Sequence, residues 1–137
     1  MINIYESSQV SVVNLISRIY REEDHDDVNV VKVVTDLNER ITYLSRAAIP
    51  SRSRNSNVSM YQQTGVIAYS SSFLNKFSKL KQTPLEIIES IDMLRLIEHG
   101  ISLKSSKTEL ETITQQRDAI AEAIAGDIRA MEGALVK

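Results

Sequence analysis

The chain has 137 residues, of which 42% are hydrophobic and 25% charged, and its formal net charge is −2. That length suits one domain with a real core, and the balance is globular rather than disordered. The absence of cysteine excludes disulfides, thiolate nucleophiles and zinc-thiolate sites. No apolar run reaches the roughly 18 residues that span a bilayer, and Met1 to Glu6 shows neither the basic nor the apolar region of a secretory leader. A cytoplasmic location is the default.

Only four glycines and two prolines occur, which favours long helices over many short strands. From Ser8 to Glu22, the spacing of Val12, Leu15, Ile16 and Ile19 predicts a first helix. After an acidic stretch from Glu22 to Asp27, Val30, Val34, Leu37, Ile41, Leu44 and Ala48 step by four and three residues and predict a second. The β-branched run Val28 to Thr35 would also suit a strand, but the stripe continuing to Ala48 favours helix.

Ile49 and Pro50 stop that helix, and the polar residues 50–58 form a linker between an N-terminal helical pair and a C-terminal three-helix part. Ser59 with Gln62 resembles a capping box for a third helix, striped by Val66, Tyr69, Phe73, Phe77 and Leu80. Thr83, Pro84 and Glu86 announce a fourth, whose Ile87, Ile88, Ile91, Leu94, Leu96 and Ile97 make it apolar nearly all round and the most buried. Gly100 ends it, with His99 in the last turn.

Ser106 and Glu109 predict the start of a fifth helix running to about Val136, roughly 45 Å at 1.5 Å per residue. The expected fold is therefore all-α, a single domain over 1–137 with about five helices and a long C-terminal helix in an αα-hairpin. That last helix is too long for its neighbour to cover. Ile124, Ile128, Met131 and Leu135 are thus the expected protein interface, for self-association or a protein partner.

Catalytic patterns are missing. Asp24, His25, Asp26 and Asp27 look metal-like, yet Val28 stands where the EF-hand pattern needs a ligand, and no glycine follows. There is no GxSxG elbow, no GxxxxGK[ST] loop and no GxGxxG loop, and only two histidines could serve as bases. No catalytic, cofactor-binding or metal residue is assigned, no cofactor is expected and no small-molecule substrate is evident.

Charge is segregated. Residues 46–81 hold Arg46, Arg52, Arg54, Lys76, Lys79 and Lys81 without a single acid, between two acidic flanks. These six bases are the candidate contacts for nucleic acid or for an acidic partner surface. The sequence thus predicts a non-enzymatic helical assembly or adaptor protein, or a chaperone-like one, acting through apolar helix faces. A nucleic-acid-associated accessory protein using residues 46–81 is the alternative.

Overall fold

The computed structural model describes residues 11–109 and 113–136. Its centre is a mixed sheet of five strands, not a helical bundle. In chain order the strands are β1 (Val12–Arg18), β2 (Lys32–Thr35), β3 (Ile41–Ser45), β4 (Tyr61–Tyr69) and β5 (Lys104–Thr108). The helices are α1 (Ser71–Lys79), α2 (Pro84–Glu89), α3 (Leu94–Glu98) and α4 (Ile113–Val136), with a 3-10 turn at Glu22–His25.

The sheet runs in the order β3-β2-β4-β1-β5. β1 and β5 are parallel, and the other pairs are antiparallel. The two outer strands meet at one end. Arg40 bridges to Lys104, Ile41 N–H donates to Leu103 O at 2.8 Å, and Ser105 N–H donates to Glu39 O at 2.9 Å. The sheet therefore curls toward closure, and those hydrogen bonds protect part of the β5 edge from pairing with another chain.

The all-α expectation fails for local reasons that the structure makes visible. β1 lies between β4 and β5, and Val12, Val13, Asn14, Ile16 and Ser17 are all buried. A strand covered on both faces loses the apolar–polar alternation that identifies strands, so helical spacing arises by chance.

The predicted second helix is the β2–β3 hairpin. The Asp36 carboxylate accepts the N–H groups of Asn38 at 2.8 Å and Arg40 at 3.0 Å, taking donors a helix would have used. Glu39 takes a left-handed φ of 62° to complete the turn. Leu37, counted in the apolar seam, stands fully exposed at the hairpin tip.

The predicted third helix divides into β4 and α1. Within β4, Gly65 adopts φ 93°, opposite a register shift between Asn14 and Ile16 of β1. The helix begins only at Ser70, whose Oγ accepts the Phe73 N–H at 3.1 Å. Tyr69, Phe73 and Phe77 then form a cluster with ring centroids 6.2 to 6.3 Å apart.

The predicted fourth helix is broken into α2 and α3 by Ser90, which takes a left-handed φ of 57°. It is not buried all round, since Ile87 and Ile88 are exposed. Ser106, expected to cap the last helix, lies inside β5. α4 begins at Ile113, and no described helix is long and apolar enough to cross a membrane.

Packing follows from this arrangement. Val12, Ile16, Val33, Ile41, Leu44 and Leu103 of the sheet region form one cluster with Phe73, Ile91, Met93, Leu94 and Leu96 of the helical layer. Leu44 is 0% exposed at its centre. Leu44→Ala is expected to cost about 3 kcal/mol through lost burial and a residual cavity. Urea unfolding at constant m-value checks this, and a loss below about 1 kcal/mol would mean the site collapses around the smaller side chain.

Candidate active site

One recess is built where β2 and β4 meet the turn between α2 and α3. It has a volume of about 230 Å³, and its polar walls are Arg46, Gln63, Tyr69, Ser90 and Asp92. Val31, Ile67, Ile91 and Met93 supply apolar walls.

Arg46 follows the last residue of β3, so it leaves the sheet facing the α2–α3 turn. Its Nε donates to Glu89 O at 2.7 Å, Nη1 to Val28 O at 2.8 Å and Nη2 to Ser90 O at 2.9 Å. Its backbone N–H reaches Glu89 Oε2 at 3.2 Å. The left-handed Ser90 supports this geometry by turning the chain so that two successive carbonyls face one guanidinium. Holding a non-glycine residue there costs on the order of 1 kcal/mol, a strain found where the surrounding structure demands it.

Carbonyl dipoles orient the guanidinium but do not neutralise it. Among the described residues Arg46 makes no side-chain ion pair. Five N–H groups belong to an arginine fork and three are engaged here, so two stay available for an incoming acid.

The rest of the recess complements that cation. Gln63 uses its carbonyl to accept Asn14 Nδ2 at 3.2 Å, which leaves its amide hydrogens for a ligand. Burial first, and then the Asp92 charge, push the Tyr69 phenol above its ordinary value, and its protonated hydroxyl donates to Met93 Sδ at 3.9 Å, a weak bond that a ligand oxygen can replace. Asp92 supplies an acceptor for hydroxyl groups. Cation, donors, one carboxylate and an apolar floor together suit a small polyhydroxylated acid.

Below the recess, Glu86 and Arg95 brace the α2–α3 turn. Arg95 Nε donates to Glu86 Oε2 at 2.8 Å and Nη2 to Oε1, while Arg95 also lies 4.9 Å from the Phe77 ring centroid. Glu86 Oε2 also accepts the Thr83 N–H at 3.2 Å, the glutamate half of the capping box read at Thr83–Glu86.

The six bases singled out in the sequence separate. Arg46 alone enters the recess. Arg52 pairs with Glu22 at 2.7 Å and so ties the irregular connection after β3 to the 3-10 turn. Arg54 is exposed on that connection, Lys76 and Lys79 on α1, and Lys81 beyond it, where the Lys81 carbonyl lies 3.0 Å from His99 Nε2. Ile124, Ile128 and Met131 are more than half exposed on α4. The side chain of Leu135 lies outside the described residues.

Gln63, Ser90 and Asp92 were not assigned any role from the sequence, and Tyr69 was read only as part of an apolar helical stripe. Arg46 was singled out only as one of six bases in an acid-free segment, which gives it no separate signal. Its partners come from three other places in the chain, and spacing along the sequence cannot show that.

Comparison with known proteins corrects the functional expectation as well. The family described as "Cytidylyltransferase" matches residues 1–116. The chain resembles the 3-deoxy-manno-octulosonate cytidylyltransferase of Fusobacterium nucleatum subsp. nucleatum, with 35% identity over 75% of this chain and 42% of that protein. The enzyme of the same name from Thermodesulfovibrio yellowstonii is 34% identical over 82% of this chain and 46% of its own length. That from Methylococcus capsulatus is 40% identical over 65% and 38%.

A solved structure, CMP:2-keto-3-deoxy-manno-octonic acid synthetase complexed with CTP, shares the fold with a TM-score of 0.74. It is 22% identical and is covered over 53% of its length, against 91% of this chain. The chain thus spans less than half the length of these curated relatives.

These findings overturn the non-enzymatic adaptor and chaperone-like readings, and with them the nucleic-acid alternative. The relatives are enzymes of small-molecule chemistry, so the expectation of no small-molecule substrate falls too. Short catalytic motifs failed as a guide because the recess is assembled from residues scattered over the start of β2, the end of β3, β4 and the α2–α3 turn. By its sequence match over residues 1–116, and in agreement with its fold, this chain belongs to the cytidylyltransferase family.

Proposed function

We propose that the recess beside Arg46 binds the sugar acid of a cytidylyltransferase reaction. In that reaction the anomeric hydroxyl of a 2-keto-3-deoxy sugar acid attacks the α-phosphorus of CTP, and pyrophosphate leaves. The observation that carries this reading is the Arg46 guanidinium, fixed by three main-chain carbonyls yet free of a carboxylate partner among the described residues. An arginine preformed in this way pairs with a sugar carboxylate through its two remaining N–H groups.

Gln63 and Tyr69 then donate to ring or chain oxygens, and Asp92 accepts from hydroxyls. The methylene next to the anomeric carbon faces the apolar wall of Ile67 and Met93. No residue of the recess is assigned to the triphosphate, and the chain spans less than half the length of these relatives.

Titration followed by two-dimensional NMR tests the proposal. Millimolar 3-deoxy-manno-octulosonate is expected to give saturable shifts at Arg46, Gln63, Tyr69 and Asp92. Its uncharged methyl ester should bind roughly 30-fold more weakly, the loss of about 2 kcal/mol for one charge-assisted contact. Shifts confined to Lys76, Lys79 and Lys81, or equal binding of acid and ester, would defeat the assignment.

A further inference from the structure

Lys32 sits in β2 with 0% of its surface exposed, an unusual place for an ammonium group. A buried cation persists only where hydrogen bonds and nearby charges hold it, and an apolar side chain would fill the same space without that cost. Nζ of Lys32 donates to the carbonyl of Asp27, and to that of Arg46 at 2.9 Å. Asp27 directly precedes Val28, whose carbonyl receives Nη1 of Arg46 at 2.8 Å. One ammonium therefore joins the backbone of Arg46 to the turn that grips the Arg46 side chain.

The charges around it agree with that role. Burial pushes the Lys32 ammonium below its ordinary value, while Asp27, Asp26 and Asp24 oppose that shift and the neighbouring Arg46 adds to it. A link needed only for stability would gain nothing from a second cation next to the first. Two adjacent cations, one buried and one in the recess wall, do strengthen the field felt by an entering anion.

We propose that Lys32 is a positioning residue, which sets the orientation of the Arg46 guanidinium before any ligand arrives. Only its consequence for ligand binding rests on the sugar-acid assignment. The preformed fork is a property of the free protein and is tested there first.

The experiment compares wild type with Lys32→Met and Lys32→Gln, using arginine-labelled protein and the Nε–Hε signal of Arg46. In wild type that proton is held against Glu89 O at 2.7 Å and is expected to exchange slowly with water. In Lys32→Met its exchange should rise about tenfold, as expected when one hydrogen-bonded support is lost, with the signals of Arg40 and Arg95 unmoved. Affinity for 3-deoxy-manno-octulosonate should fall with it, while Lys32→Gln, which keeps a neutral donor, recovers part of both.

A lysine that merely stabilised the fold would lower the melting temperature and leave the Arg46 signal in place, and that result overturns the proposal. So does the failure of both variants to fold. If Arg46 loosens in Lys32→Met while wild type binds no sugar acid, the positioning role stands and the ligand assignment fails.

Discussion

Arg46→Ala is expected to remove measurable binding of the sugar acid while the protein stays folded. The guanidinium is the charged donor that the recess offers to a carboxylate, and its fork is already oriented by Glu89 O, Val28 O and Ser90 O. A bidentate arginine–carboxylate contact is worth about 3 kcal/mol, so affinity should drop by about two orders of magnitude.

Arg46→Lys should recover little, since an ammonium cannot reach three carbonyls and still offer two parallel donors. The half-exposed carbonyls left behind can turn to water, so the stability cost should stay near 1 to 2 kcal/mol. Calorimetric titration paired with urea unfolding separates the two effects. A variant that unfolds, or one that binds acid as wild type does, would show that Arg46 serves the fold alone.

The second large effect concerns stability and lies beneath the same turn. Glu86 is 3% exposed, and its carboxylate is shared between Arg95 and the Thr83 N–H. Glu86→Ala leaves the mostly buried Arg95 cation without its partner and the start of α2 without its cap. A loss of about 3 kcal/mol is expected, at the lower edge for a broken buried pair because Arg95 keeps some contact with water.

Acid should act on the same pair. Chiefly through the Arg95 hydrogen bond, the Glu86 carboxyl is held below its ordinary 4.5. A depressed acid pKa contributes stability that is fully present above the unfolded value and is lost as pH falls through the folded one. The gap between wild type and Glu86→Gln should therefore be constant well above the ordinary 4.5 and shrink progressively as pH falls below it, toward the depressed folded value. A gap unchanged by acid would show that the charge of Glu86 contributes nothing to folding.

Some of this protein was determined by its sequence alone. Thr83, Pro84 and Glu86 do start a helix, because proline at the first turn and a glutamate two residues later act within one turn. Phe73 and Phe77, four residues apart, share one face of α1 and meet there, whereas Tyr69 joins them from the end of β4. These are short-range effects, and local spacing reports them faithfully.

Tertiary structure decided the rest. Whether Val12 to Arg18 became strand or helix depended on β4 and β5 lying to either side, and burial on both faces erased the alternation that would have marked it. Ser106, whose spacing from Glu109 imitates a cap, was taken into β5 because its strand pairs in parallel with β1. Arg46 became a candidate anion anchor only because Val28, Glu89 and Ser90 converge on it across separations of 18, 43 and 44 residues. A side chain's periodicity records its near neighbours. Which carbonyls orient a distant guanidinium is settled by the order of strands in the sheet, and no window of sequence contains that order.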